Sequence, residues 1–298
     1  MGSGYSLNNQ LEEAKELLDK IPPKNYISWN SLITGYLEYE KFDEVFEVFS
    51  DMLLSGEQPN KSTFSSVLCA CASLASLERG KNLHGKVIKL GFHSDVFVDT
   101  ALLDMYAKSG NVESSEKIFK RTPKRNEISW TAMIQGLAEN GFAEEALAVF
   151  ERTKSIAPNE LILLAVLFAC SHCGLVDKGL HYFNSMEKVY HIQLNARHYT
   201  CVVDMLSRSG RLSEAEKFIL DMPCEPEVQA WAALLSGCKT YRNERMEERV
   251  AEKISELAEK HPEGYTLLSN VYASAGRWLD VLHKKTNEGK RTEEKQGM

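Results

Sequence analysis

The chain copies itself. Ser28-Trp29-Asn30-Ser31-Leu32-Ile33-Thr34-Gly35 returns as Ser129-Trp130-Thr131-Ala132-Met133-Ile134-Gln135-Gly136, with the two tryptophans 101 residues apart. Leu103-Asp104-Met105-Tyr106-Ala107-Lys108-Ser109-Gly110 returns as Val203-Asp204-Met205-Leu206-Ser207-Arg208-Ser209-Gly210 after 100 residues, and Ser66-Val67-Leu68-Cys69-Ala70-Cys71 as Ala165-Val166-Leu167-Phe168-Ala169-Cys170 after 99. Three segments recurring in one order make a compound unit present twice. Such a chain grows by stacking, each unit burying its apolar face against its neighbours, so length alone does not count its domains.

Inside each copy the apolar residues recur at helical spacing. Leu11, Ala14, Leu17 and Leu18 mark a helix that Pro22-Pro23 stops. Trp29, Leu32, Ile33 and Tyr36, then Phe42, Val45, Phe46, Val48, Phe49 and Met52, predict a helix–turn–helix over residues 26–60. The pattern repeats over 61–95, 96–126, 127–159, 160–195 and 196–227. Trp231 to Gly237 keeps the interval from Trp to Gly seen at 29–35 and 130–136. A charged amphipathic helix follows from Glu247 to Lys260, then a further pair over 265–283. Prolines 22, 23, 59, 123, 158, 223, 226 and 262 all fall at these boundaries. Because an interior proline costs a helix about 3 kcal/mol, their placement supports the map. No segment alternates with the period of a half-buried strand. The expected fold is all-α, a solenoid of helix pairs, with Trp29, Trp130 and Trp231 in the core between helices.

Composition narrows the function classes. No apolar run approaches the roughly 18–20 residues of a membrane span. The net charge is −7, and residues 1–227 carry −8, which argues against a strongly electrostatic nucleic-acid footprint. Seven cysteines, an odd number without disulfide spacing, point to reduced thiols. Cys170-Ser171-His172-Cys173 lacks a second pair of ligands at zinc spacing, so packing is expected there, as for Cys69 and Cys71. His261-Pro262-Glu263 is an H-x-E, but the P-C-x-x-C segment that a zinc deaminase also needs does not occur, nor does a phosphate loop or a G-x-S-x-G elbow, and no enzymatic activity or cofactor is expected.

Unit lengths of 35, 35 and 31 (26–60, 61–95, 96–126) resemble the P, L and S motifs of plant pentatricopeptide repeat proteins of the PLS subclass. The second P unit, 127–159, is two residues short in its second helix. The tail, with Trp231 to Cys238 and Leu267-Leu268-Ser269-Asn270-Val271-Tyr272-Ala273-Ser274-Ala275-Gly276-Arg277-Trp278, is similar to the paired E extension motifs of organellar RNA-editing factors. The resemblance divides the chain into a cloning remnant and partial S motif (1–25), two P-L-S triplets (26–227), a first E motif (228–263), and a second E motif with a charged tail (264–298). It implies a right-handed α-solenoid and sequence-specific recognition of single-stranded RNA. It further implies C-to-U editing in a plastid or mitochondrion by a DYW-type deaminase supplied in trans, with MORF-type editing cofactors as partners, no membrane, and a monomer.

In the resembled family the fifth and last residues of each unit read one base, through short polar groups that match base-edge donors and acceptors. Carried over, the pairs are Asn30 with Asn60 (a pyrimidine), Ser65 with Asp95 (G, weakly), Thr100 with Asn126 and Thr131 with Asn159 (both adenine), Leu164 with Asn195, and Thr200 with Glu227. The second residues flank the base plane: Ile27, Ser62, Phe97, Ile128, Leu161 and Arg197. Lys108 and Arg208 are placed to meet phosphate. Each polar residue also has a plainer role open to it, since Asn and Thr near a helix start are routine caps and turn residues. The competing expectation, motivated by the charge, is a protein-interaction scaffold of the tetratricopeptide type.

Overall fold

The computed structural model describes residues 25–123, 125–153 and 158–260. These residues hold fourteen helices, and no strand occurs among them: α1 (Tyr26–Glu38), α2 (Phe42–Leu54), α3 (Lys61–Ser73), α4 (Leu77–Lys89), α5 (Val96–Lys108), α6 (Val112–Arg121), α7 (Glu127–Glu139), α8 (Ala143–Thr153), α9 (Glu160–His172), α10 (Val176–Lys188), α11 (Ala196–Arg208), α12 (Leu212–Leu220), α13 (Val228–Thr240) and α14 (Glu244–Lys260). The fold is an all-α solenoid of repeated helix–turn–helix pairs. Pro59, Pro123, Pro158, Pro223 and Pro226 lie between helices. The helix expected at 9–20, the pair at 265–283 and the other three prolines lie outside the described residues.

Two compact units divide between Ala169 and Cys170. In the first, α1 packs on α2 and α3, α3 on α5, and α5 on α7, so each first helix leans on the next first helix. In the second, α11 packs on α13, with α12 and α14 alongside.

The repeated Trp-to-Gly segment now has a packing reason. Trp29, Trp130 and Trp231 are buried, and Trp130 meets the Phe119 ring edge-on at 4.9 Å. The glycine closing the segment lets the preceding first helix come close. A Cβ on Gly136 would stand 2.5 Å from Ala107 Cβ, and one on Gly237 would stand 2.9 Å from Ser207 Cβ. Gly110 and Gly210 follow α5 and α11 at φ +75° and +79°, a left-handed turn that an L side chain rarely adopts.

Buried polar groups fasten helices within the first unit. Asp99, 1% exposed, accepts hydrogen bonds from Arg121 and from Thr122 Oγ1, both at 3.0 Å, which ties the end of α6 to α5. His84 Nδ1 lies 2.9 Å from the Tyr106 hydroxyl. Burial lowers the His84 pKa below its usual 6.5, Arg121 pushes the same way, and Asp99 opposes both. The folded chain therefore binds fewer protons there than the unfolded chain over the window between the two pKa values, and stability rises with pH across it. Chemical denaturation should show stability falling as pH drops from about 6.5 through the lower folded value. His84→Gln should flatten that slope.

All seven cysteines are free thiols. Burial pushes Cys71, Cys201 and Cys238 up to about 11, so they stay protonated at neutral pH. One expectation needs correction: Cys69 is exposed, not packed with Cys71, because residues two apart on a helix face different directions. Cys173 is half-buried just past the end of α9, while Cys170 is fully buried. Among the described residues no group of three or more His, Cys, Asp or Glu side chains could hold a metal ion, and no described helix is long and apolar enough to cross a membrane.

Candidate nucleic-acid interface

The last residue of each unit is also the residue on which the next first helix starts. Asn60 Oδ1 accepts from the Thr63 amide at 3.0 Å, Asn126 Oδ1 from Ser129 at 2.9 Å, Asn159 Oδ1 from Ile162 at 3.1 Å, and Asn195 Oδ1 from Arg197 at 3.2 Å. Asp95 Oδ1 accepts from Phe97 at 2.9 Å and from Val98 at 3.3 Å. Glu227 precedes α13 without a capping bond and is exposed. The plainer reading of these residues as helix caps, each worth about 1 kcal/mol, therefore holds for five of the six. It does not compete with a binding role, since capping engages an oxygen and leaves the asparagine Nδ2 hydrogens for other partners.

Stacking of first helices brings a cap beside the fifth residue of the unit before it. Asn30 Nδ2 donates to Asn60 Oδ1 at 3.2 Å. Thr100 and Asn126 meet through Ser129, whose hydroxyl lies 2.9 Å from each. Thr131 and Asn159 are not joined: Asn159 Nδ2 donates to Glu127 Oε2 at 2.8 Å, and the buried Thr131 Oγ1 has no partner among the described residues. Ser65 Oγ, buried likewise, has none either. Leu164 is half-buried, and Thr200 Oγ1 turns back to its own helix at the Ala196 carbonyl, 2.9 Å away.

Four of these side chains share one cavity. Ser65, Thr100, Asn126 and Thr131 line a space of about 350 Å³ across α3, α5 and α7, with Phe97 and Ile128 also on its wall. That volume is at the lower end of what small-ligand pockets offer. Phe97 is 55% exposed and Ile128 50%, and Ile27 (58%) and Leu161 (43%) belong with them among the exposed large apolar side chains. All four apolar residues expected to flank a base plane are thus uncovered, whereas the reading residues beside them are half-buried. The Lys61 ammonium sits 5.4 Å from the Phe97 ring centroid. Ser62 and Arg197, the polar second residues, are exposed.

The expected phosphate contacts are already engaged. Lys108 donates to Asp104 Oδ2 at 2.9 Å, and Arg208 Nε donates to both Asp204 oxygens at 2.9 and 3.1 Å. Burial alone would lower the Lys108 pKa, but the Asp104 hydrogen bond, the Asp104 charge and Glu139 outweigh it and raise the value. Asp204 also accepts from Ser171 Oγ at 2.6 Å. The pairing carries a signal in the sequence, an Asp four residues ahead of each cation on one helix face. The role of Ser129 carried none.

With this geometry in hand, the family is established by comparison. The PPR repeat profile matches residues 1–22, 100–126, 128–156, 164–189 and 197–225, the PPR repeat family profile matches 24–73, and the E motif profile matches 241–296. The chain belongs to the pentatricopeptide repeat family, with an E-motif extension. Among similar Arabidopsis thaliana proteins, one pentatricopeptide repeat-containing protein is 42% identical over 93% of this chain and 39% of its own length. Another is 40% identical over 97% of this chain and 52% of its own length, and a third, named mitochondrial, is 39% identical over 92% and 44%. The chain thus spans between two fifths and about half the length of these relatives. Of solved structures, the pentatricopeptide repeat protein PPR10 in complex with an 18-nt psaJ RNA element aligns with TM-scores of 0.63 and 0.62 in two crystal structures. Identities are 16% and 18%, with 95% and 89% of this chain and 43% and 40% of the other covered. That likeness concerns the fold.

Proposed function

We propose that this chain recognises single-stranded RNA by sequence, one base per unit, as the specificity component of an organellar C-to-U editing apparatus of the PLS subclass. One observation carries the reading. Polar side chains at the fifth and last places of successive units converge on one cavity, and the exposed Phe97 and Ile128 flank it. Thr100, Asn126, Thr131 and Asn159 then read two successive adenines, Asn30 with Asn60 a pyrimidine 5′ to them, and Ser65 with Asp95 a weakly specified G. Sandwiching of a base face between apolar side chains supplies much of the affinity, because Lys108 and Arg208 bring their own carboxylates and add little net positive charge. The E-motif match and the mitochondrial name of one relative support placing the chain in an organelle, with a DYW-type deaminase acting in trans, MORF-type cofactors as partners, and the chain itself a monomer.

The test is a swap. Thr131→Asn with Asn159→Asp should move preference at one nucleotide from A to U by about tenfold, the worth of a base-edge hydrogen-bond pair. Binding to four oligonucleotides differing at that base reads it out, and unchanged preference sinks the assignment. The Asp104–Lys108 and Asp204–Arg208 pairs favour a second reading, a protein-interaction scaffold. On that reading, RNA binding stays at background even at about 50 mM salt, where phosphate contacts are strongest.

A further inference from the structure

The two reading side chains of a unit are not wired alike in all units, and the difference tracks one residue. In the first P unit, Thr63 Oγ1 donates to Asn30 Oδ1 at 2.6 Å and lies 3.1 Å from Asn60 Oδ1, so one hydroxyl touches both readers. In the first S unit, Ser129 Oγ donates to Asn126 Oδ1 and lies 2.9 Å from Thr100 Oγ1. Thr63 and Ser129 hold the same register: each is the third residue of the following unit, one place after the base-flanking residue. In the other two units of this region that place is apolar, Val98 after the first L unit and Ile162 after the second P unit, and both are buried. There the fifth residue's hydroxyl, on Ser65 and on Thr131, has no partner among the described residues.

We infer that the third residue of the following unit is a positioning residue for base reading: a hydroxyl there locks the fifth and last side chains into one hydrogen-bonded frame, and an apolar residue leaves them to act separately. The inference rests on the base-reading function proposed above. Its physical ground is preorganisation. Two short side chains held by a common hydroxyl present a fixed set of donors and acceptors, so a mismatched base leaves a buried group unpaired instead of prompting a rotamer change. Thr100 Oγ1 also lies 2.7 Å from the Val96 carbonyl, and since each hydroxyl carries one proton, the frame closes when Thr100 donates to Ser129 and Ser129 to Asn126 Oδ1. Asn159, without such a hydroxyl, turns its amide to Glu127 instead. Units reading through Thr63 and Ser129 should discriminate sharply, and those abutting Val98 and Ile162 loosely.

Ser129→Ala separates this role from a structural one. The Asn126 cap bonds the Ser129 backbone amide, which the substitution retains, and Thr100 can give its proton to the Val96 carbonyl. Anisotropy titrations of the full chain against oligonucleotides varied at single positions should show preference at the nucleotide facing Thr100 and Asn126 falling about fivefold, with the other positions unchanged. Ser129→Thr should restore it, and Ile162→Thr should sharpen the nucleotide facing Thr131 and Asn159 by a similar factor. The control is the pair Thr100→Asn with Asn126→Asp. If that pair shifts the preference while Ser129→Ala leaves it within about twofold, the positioning role is overturned and base reading stands. If the control pair shifts nothing either, base reading fails and takes this inference with it.

Discussion

Phe97→Ala combined with Ile128→Ala is expected to weaken binding of a matched single-stranded RNA by roughly thirtyfold, the ~2 kcal/mol of one well-stacked base, while leaving the thermal unfolding midpoint almost unmoved. Both side chains are half or more exposed, so truncating them removes little area buried on folding. Both stand on the wall of the cavity that holds Thr100, Asn126 and Thr131, so their loss opens the space a base would fill. A titration beside a melting curve checks the two halves together. Undiminished affinity would remove the stacking role, and a collapsed melting curve would show that the pair serves the core. Because stacking is indifferent to base identity, the preference order among oligonucleotides should persist as the overall affinity falls.

Gly136→Val should do the opposite: unfold the array before it touches recognition. The first atom of any side chain there stands 2.5 Å from Ala107 Cβ, with both helices committed to the contact. Forcing them apart should cost about 3 kcal/mol, at the upper end for overpacked cores. Gly85→Ala supplies the contrast. Gly85 lies within α4 with nothing within 4 Å of a Cβ, so alanine should stabilise by roughly 0.5–1 kcal/mol through helix propensity. Urea denaturation of the two variants reads the difference, and a stable Gly136→Val chain would mean the α5–α7 approach is softer than its geometry.

Much of the fold was legible beforehand because it follows from local rules. Prolines cannot sit inside helices, so Pro59, Pro123, Pro158, Pro223 and Pro226 marked the gaps. Apolar spacing named the buried faces: Trp29, Leu32, Ile33 and Tyr36 of α1, and Val45, Val48, Phe49 and Met52 of α2, are all buried. The family resemblance, not periodicity, named Ile27, Phe97, Ile128 and Leu161 as second residues of their units, and each is exposed. Helical spacing was coarser for Cys69, which shares a repeated segment with Cys71 yet opens to the cavity.

The sequence by itself determined the repeated helix pairs, most of their buried apolar residues and the family, because each depends on residues near one another along the chain. Only the tertiary structure decided which polar atoms meet. Asn30 reaches Thr63 33 residues away, Thr100 reaches Ser129 29 residues away, and Asn159 takes Glu127 over Thr131. Those contacts depend on how far one first helix slides and turns against the next. That offset is set by whole packed faces, with Gly136 against Ala107 among the closest, and not by the identity of any side chain that later forms the hydrogen bonds.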